Sequence, residues 1–220
     1  VYFTKLGFAV FKVNYVGSLG TRFDTTYELI GRISEREVNQ VHELVQQLLV
    51  DHPVIDSQHV FLSGGSHGGF TVTHLSSQFP GFYKAVVARN PVIDLNAMMG
   101  TSDITDWVYV ESGISFDKEK LLIPTVEKTT DSEKLRNFSP VNLAHRVTCP
   151  TLLQLGTKDL RVPMSQGLIY YRALKSHGKD VELSVYDDNH ALSTTAVRAN
   201  CKIHIAKFFN KIADKPIFID

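Results

Sequence analysis

Residues 63–69 read Ser-Gly-Gly-Ser-His-Gly-Gly, and the meaning of this stretch decides the fold. Gly64-Gly65-Ser66-His67-Gly68 fits the pattern G-x-S-x-G, in which a serine sits on a tight, strained strand-to-helix turn with its oxygen exposed above a sheet. The flanks have the required character. The apolar run Val60-Phe61-Leu62 leads in, and a helix-like stretch from Phe70 to Gln78 leads out. The glycines around the serine remove Cβ atoms that would clash and tolerate unusual backbone angles. The same five-residue pattern arises by chance in glycine-containing loops, so its weight depends on partner residues further along the chain.

An acid and a histidine stand there, in an informative order. Leu152-Leu153-Gln154-Leu155-Gly156 is an apolar, strand-like run that ends in Thr157-Lys158-Asp159-Leu160-Arg161-Val162-Pro163. After a helical segment comes a second run, Val181 to Tyr186, and then Asp187-Asp188-Asn189-His190. Ser66, Asp159 and His190 stand in the chain order of α/β-hydrolases, which differs from the orders found in chymotrypsin and subtilisin. Asp159 and His190 both lie just past the C-terminal ends of predicted strands, the edge at which open α/β sheets bind ligands.

The rest of the chain alternates in the same way. Gly7–Tyr15 reads as a buried strand, and a glycine- and serine-containing loop runs from Val16 to about Arg32. A helix is predicted over about Ser34–Val50, where Val38, Val41, Leu44, Val45, Leu48 and Leu49 recur on one face. Ser34 with Glu37 is a capping-box start, and His52-Pro53 ends the helix because a residue before proline resists the helical region. Gln58–Leu62 is the predicted elbow strand and Lys84–Ala88 the next, bounded by Asn90-Pro91. From Asp94 to Pro140 the rhythm breaks into what reads as a helical excursion over the sheet edge. A last helix is expected over about Thr194–Ile212. Such alternation implies an α/β fold, a mainly parallel sheet with helices on both faces, and the length of 220 residues suits one domain over residues 1–220.

Composition is that of an ordinary globular chain, 43% hydrophobic and 21% charged with a formal net charge of zero. That balance favours neither nucleic acid nor an anionic membrane as a partner. No apolar stretch approaches the roughly 20 residues of a membrane span. Two cysteines, Cys149 and Cys201, are too few for a disulfide framework, and read as reduced, buried thiols they point to an intracellular, cytoplasmic setting. Val1 begins what reads as the middle of an element, so the chain is taken to be N-terminally truncated.

The candidate site residues have complementary chemistry. A serine hydroxyl is a weak nucleophile until a neighbouring base takes its proton; Ser66 is the candidate nucleophile and His190 the base, later the acid that protonates the leaving group. Asp159 would hold the imidazole in its working tautomer. Asp187 and Asp188, though nearer to His190 in sequence, read as surface loop carboxylates. The backbone N–H of His67 is the candidate oxyanion donor. Histidines and acids show no metal-ligand spacing, and no cofactor is expected.

On these residues the chain resembles the prolyl-oligopeptidase-type serine peptidases (peptidase S9 type), and within them the acylaminoacyl-peptidase branch. The resemblance rests on Val13-Asn14-Tyr15-Val16-Gly17-Ser18 with Gly20, on Gly64–Phe70, and on Val87-Ala88-Arg89-Asn90-Pro91-Val92. It continues through Asp103-Ile104-Thr105-Asp106-Trp107, Leu155–Pro163 with Tyr170–Leu174, and His190-Ala191-Leu192. It implies a catalytic domain that removes an N-acylated, typically acetylated, residue from the blocked end of a short peptide. By position, Ser66, Asp159 and His190 would be the triad, and Arg161 would grip a substrate carbonyl near the acyl end, the alternatives being a surface arginine or a salt bridge to a nearby carboxylate. Trp107 would wall the apolar pocket or pack in the core. Members often form homo-oligomers. The family also carries an upstream β-propeller and a His-Gly-Gly-Pro loop that this chain lacks, so the 220 residues alone are expected to be weakly active or inactive. The alternatives in view are a carboxylesterase or dienelactone-hydrolase-like enzyme and an inactive hydrolase-fold module.

Overall fold

In chain order the elements are α1 (Tyr2–Lys5), α2 (Phe23–Tyr27), α3 (Arg36–Asp51), β1 (Phe61–Gly65), α4 (His67–Gln78), β2 (Ala85–Arg89), α5 (Leu95–Thr101), α6 (Thr105–Ser112) and α7 (Thr129–Phe138). A 3-10 segment (Pro140–Arg146) then leads to β3 (Thr151–Gly156), α8 (Met164–Ser176), β4 (Val181–Tyr186) and α9 (Thr195–Ala213). This computed structural model describes residues 1–19, 23–116 and 129–213. Gly20 and the 117–128 part of the predicted excursion lie outside them.

The four strands are all parallel and ordered β1-β2-β3-β4. Each crossover therefore returns to the adjacent position, and the C-terminal ends of all four strands share one rim. Alternate residues of the inner strands face opposite sides, as the two-residue period of a strand demands. Val86, Ala88 and Leu153 join Val38, Val41 and Val45 of α3, Leu75 of α4 and Tyr170 and Leu174 of α8 in one core cluster. Ala85, Val87 and Leu152 face the other way, onto Ile205, Phe208 and Phe209 of α9. With both faces covered, β2 and β3 read as nearly continuous apolar runs, and truncating Leu153, which is fully buried, would cost about 2–5 kcal/mol.

A third cluster lies beneath the excursion. Met98 and Met99 of α5, Val108 and Tyr109 of α6 and Leu135 of α7 pack there with Phe70 of α4. The break in rhythm after Asp94 is thus a helical cap with its own buried seam. Asp94 starts it by accepting a hydrogen bond from the Ala97 N–H at 3.1 Å.

The predicted strand over Gly7–Tyr15 does not form; those residues are in no regular element. Their apolar side chains are used without a backbone ladder. Phe8 packs edge-to-face on Phe61 and Phe209, and Val13 and Tyr15 rest on the first core cluster, while Val10 and Phe11 are exposed. Apolar character alone does not specify a strand ladder, even beside β1, which ends the strand order among the described residues. The loop expected from Val16 to about Arg32 contains the short helix α2. Half of the predicted capping box is present, since the Ser34 N–H donates to Glu37 Oε1 at 2.7 Å.

Candidate active site

Ser66 occupies the junction of β1 and α4 with φ 58° and ψ −124°, a backbone region that costs a non-glycine residue about 1–3 kcal/mol. Neighbouring geometry enforces it. A Cβ on Gly64 would lie 2.1 Å from the Gly68 carbonyl oxygen, so the turn can be this tight only with glycine at 64. A Cβ on Gly68 would meet open space, and of the two outer glycines of the motif only Gly64 is sterically required. The Ser66 N–H donates to the Arg89 carbonyl at 3.0 Å, carrying the β1–β2 register one step beyond the sheet. His67 comes next as the first residue of α4, where α-helix geometry leaves a backbone N–H without an intrahelical partner.

Asp159 and His190 meet as their order implies. His190 Nδ1 lies 2.7 Å from Asp159 Oδ2. The other carboxylate oxygen, Oδ1, accepts from the Arg161 and Val162 N–H groups, both at 2.9 Å. The Asp159 side chain is fully buried, its acceptors are engaged on both sides, and it fixes the imidazole with Nε2 left for other work. Ser66 and His190 are not hydrogen-bonded to each other among the described residues; they share the rim at the ends of β1 and β4. Catalytic hydrogen bonds of this kind are commonly long before substrate binds. Other histidines have other partners: His42 bonds Tyr83 and stacks on Phe79, and His74 bonds the Phe138 carbonyl.

Asp187 is an exposed carboxylate paired with Lys158 at 2.9 Å, as expected. Asp188 is not a surface carboxylate. It is buried and accepts from the Asn189 N–H, the Thr194 N–H and the Thr194 hydroxyl, closing the loop that carries His190. Cys149 and Cys201 are both buried and unpaired with each other, and burial pushes the Cys149 thiol up to about 11, which leaves it unreactive at neutral pH.

The side chain of His67 turns inward. Its Nδ1 lies 3.1 Å from the Tyr15 hydroxyl, and Trp107 meets the ring edge-on at 6.0 Å. Burial pushes the imidazole down to about 4, so it is neutral at pH 7. Glu111 Oε2 stands 3.8 Å from His67 Nε2, too far for a hydrogen bond, and burial raises that carboxyl. Trp107 thus packs on the residue whose N–H is the candidate oxyanion donor, and it also rests on the core cluster beneath the excursion. Both roles foreseen for it are compatible with this position. Arg161 is engaged by Asp103, Nε to Oδ1 at 2.6 Å, and Ser102 and Asp103 further bond the Arg161 and Leu160 carbonyls. The start of the excursion is thereby stitched to the Asp159 loop. A polar groove of about 450 Å³ along α3, bordered by Tyr15 and Glu43, includes none of the three rim residues.

Asn90 and Gln166 were missed by sequence reasoning. Gln166, fully buried, accepts from the Ile93 and Asp94 N–H groups and donates to the Asp94 carbonyl, anchoring the exit from β2 to α8. Asn90 carries a signal, an Asn-Pro step after a strand, but that step marks only a boundary and does not name the partners of the side chain.

Residues 1–216 match the model of the prolyl oligopeptidase family. The chain belongs to the prolyl oligopeptidase family. Within that family it is 42% identical to the human acylamino-acid-releasing enzyme over 197 residues, which are 89% of this chain and 26% of that protein. It is 37% identical to the Arabidopsis thaliana acylamino-acid-releasing enzyme over 215 residues, 96% of this chain and 27% of that protein. The chain therefore spans about a quarter of the length of these relatives. Among solved structures it resembles the Pyrococcus horikoshii acylaminoacyl peptidase with a TM-score of 0.81 at 24% identity, covering 94% of this chain and 33% of that one. A second similar structure is an acylaminoacyl peptidase in complex with Z-Gly-Gly-Phe-chloromethyl ketone, with a TM-score of 0.79 at 24% identity over 93% of this chain and 31% of that one. The shared fold is that of the α/β-hydrolases. No helix among the described residues is long and apolar enough to cross a membrane.

Proposed function

We propose that this chain is the catalytic domain of a serine peptidase that releases an N-acylated residue from the blocked N-terminus of a short peptide. The observation that carries the reading is the buried Asp159 carboxylate bonded to His190 Nδ1 at 2.7 Å, on the same sheet rim as a serine in strained elbow geometry. The names of the relatives, acylamino-acid-releasing enzymes, supply the substrate class.

His190 Nε2 takes the Ser66 proton as Oγ attacks the carbonyl carbon of the acylated residue. The carbonyl π electrons move onto oxygen, where the His67 N–H stabilises the charge. Collapse breaks the C–N bond, and the imidazolium gives its proton to the departing amine. Water, deprotonated by the same imidazole, then cleaves the ester on Ser66 and restores the free hydroxyl. Arg161 has the carboxylate partner set against its substrate role, since Asp103 takes its Nε and Nη2, so within this proposal only the guanidinium N–H groups left over are offered to a carbonyl near the acyl end. Trp107 walls the acyl-residue pocket beside His67. A cytoplasmic setting belongs to the same proposal, supported by two buried free thiols.

The test compares hydrolysis of an acetyl-amino-acid anilide and of a p-nitrophenyl ester by the natural gene product and its Ser66→Ala variant. Anilide turnover that falls by at least about 10³-fold in the variant is the expected result. Hydrolysis of the ester alone would show a carboxylesterase and overturn the peptidase assignment.

A further inference from the structure

We propose that Asn90 is a positioning residue that holds the backbone of the general base against the end of β2, the strand beside the one that leads into the nucleophile. The inference rests on the triad reading above and adds a residue to it.

Asn90 is the first residue beyond β2, adopts φ 40° and is almost fully buried. Its backbone N–H donates to the Gln154 carbonyl at 2.9 Å, extending the β2–β3 pairing. Its side chain then bridges two other segments. Oδ1 accepts from the Gly156 N–H at 2.8 Å, and Nδ2 donates to the His190 carbonyl at 2.9 Å. The residue before it, Arg89, accepts from the Ser66 N–H at 3.0 Å. Two consecutive residues at the end of β2 thus hold the backbone of Ser66 on one side and of His190 on the other.

The span explains why a tie is needed. Ser66 leaves β1 and His190 comes after β4, three strand positions away at about 4.7–4.9 Å each. The His190 loop must therefore lean back across the rim for Nε2 to approach Ser66. Asp159 fixes the ring at Nδ1 and the Asp188 bonds close the loop on itself, while Asn90 ties the His190 carbonyl to the end of β2.

Only a primary amide of this length meets the requirement. One partner is an N–H and the other a carbonyl, so the side chain must accept at one end and donate at the other. Aspartate has no donor and would turn an oxygen toward the His190 carbonyl. Asparagine is also among the few side chains that tolerate positive φ.

The test uses the natural gene product with Asn90→Asp and Asn90→Gly, the glycine variant keeping the backbone conformation while removing the bridge. The measurements are kcat and KM on an acetyl-amino-acid anilide, the rate of Ser66 labelling by a fluorophosphonate per folded molecule, and the melting temperature. We expect each variant to lose about 10–100-fold in kcat and in labelling rate, because displacement of a catalytic group by about 1 Å costs on that order. KM should stay within about twofold, since the bridge touches no substrate. Folded Asn90→Gly that labels and turns over at the parent rate overturns the inference and leaves the triad standing. So does a loss of turnover fully accounted for by a smaller folded fraction. A parent protein that the fluorophosphonate does not label at all overturns the triad reading, and this inference with it.

Discussion

Gly156 ends β3 with its backbone pressed against the loop that carries His190, and Gly156→Ala should slow the enzyme by about 10²-fold while leaving it folded. A Cβ at 156 would lie 2.6 Å from the Asp188 carbonyl oxygen and 2.8 Å from that of Asn189, with Leu192 Cδ2 at 3.2 Å. Restoring ordinary van der Waals separation needs a movement of roughly 0.5–1 Å. β3 is buried along its whole length, whereas the loop is held by its own hydrogen bonds and by single bonds from Asn90 and the Lys158 N–H, so the loop yields. His190 then moves relative to Ser66, and the Gly156 N–H is drawn from Asn90 Oδ1. The packing cost should be about 1–3 kcal/mol, or roughly 2–12 °C in melting temperature for a chain of this size. Steady-state kinetics on an acetyl-amino-acid anilide, with fluorophosphonate labelling of Ser66 and a thermal melt on the same samples, separates the two effects. A folded Gly156→Ala protein with kcat within threefold of the parent would refute the reasoning, because it would mean that the loop tolerates the displacement.

Glu37 and the buried histidines give stability opposite pH dependences. Burial raises Glu37 to about 7 from about 4.5, so between those values the folded form keeps a proton that the unfolded chain has released. Its contribution is therefore fully present below about pH 4.5 and is lost as pH rises through 7, on the order of 3 kcal/mol. His67 and His74, both pushed down to about 4 by burial, act the other way, and their contribution is lost as pH falls from about 6.5 toward 4. Urea unfolding of Glu37→Gln should accordingly gain on the parent by that amount between pH 5 and pH 8; a pH-independent difference would contradict the assignment. For Arg161→Gln we expect KM for acylated dipeptides to rise about tenfold, the worth of one charge-assisted hydrogen bond, with kcat within about twofold. An unchanged KM would remove Arg161 from substrate binding.

The three rim residues were legible because each stands just past a strand that ends in sharp punctuation, Gly64-Gly65 closing β1, Gly156 closing β3 and Asp187-Asp188 following β4. The helices α3, α4 and α9 announced themselves by periodicity and punctuation. What escaped was set by contacts between distant segments. The 7–15 run is as apolar as β2, yet its side chains pack on Phe61 and Phe209 while its backbone joins no ladder. Asn90 gains its role from residues 66 and 100 positions further on, and Gln166 from residues 72 and 73 positions back; neither partnership leaves a local trace. Asp188 looked like one of two equivalent loop carboxylates, and the bonds it accepts from Asn189 and the returning Thr194 distinguish it from Asp187, which pairs with Lys158.

The backbone at Ser66 sets the fold's endurance against its usefulness. The conformation there is one that glycine, lacking a Cβ, enters freely, so a glycine at that position would make a sturdier molecule with nothing left to attack a carbonyl. Screening variants for heat resistance alone would therefore tend to discard the very hydroxyl that makes the rim reactive. Hardening a protein of this design has to draw its gains from elsewhere, such as the seam under α5 and α6 or the far face beneath α9, and leave the elbow wound.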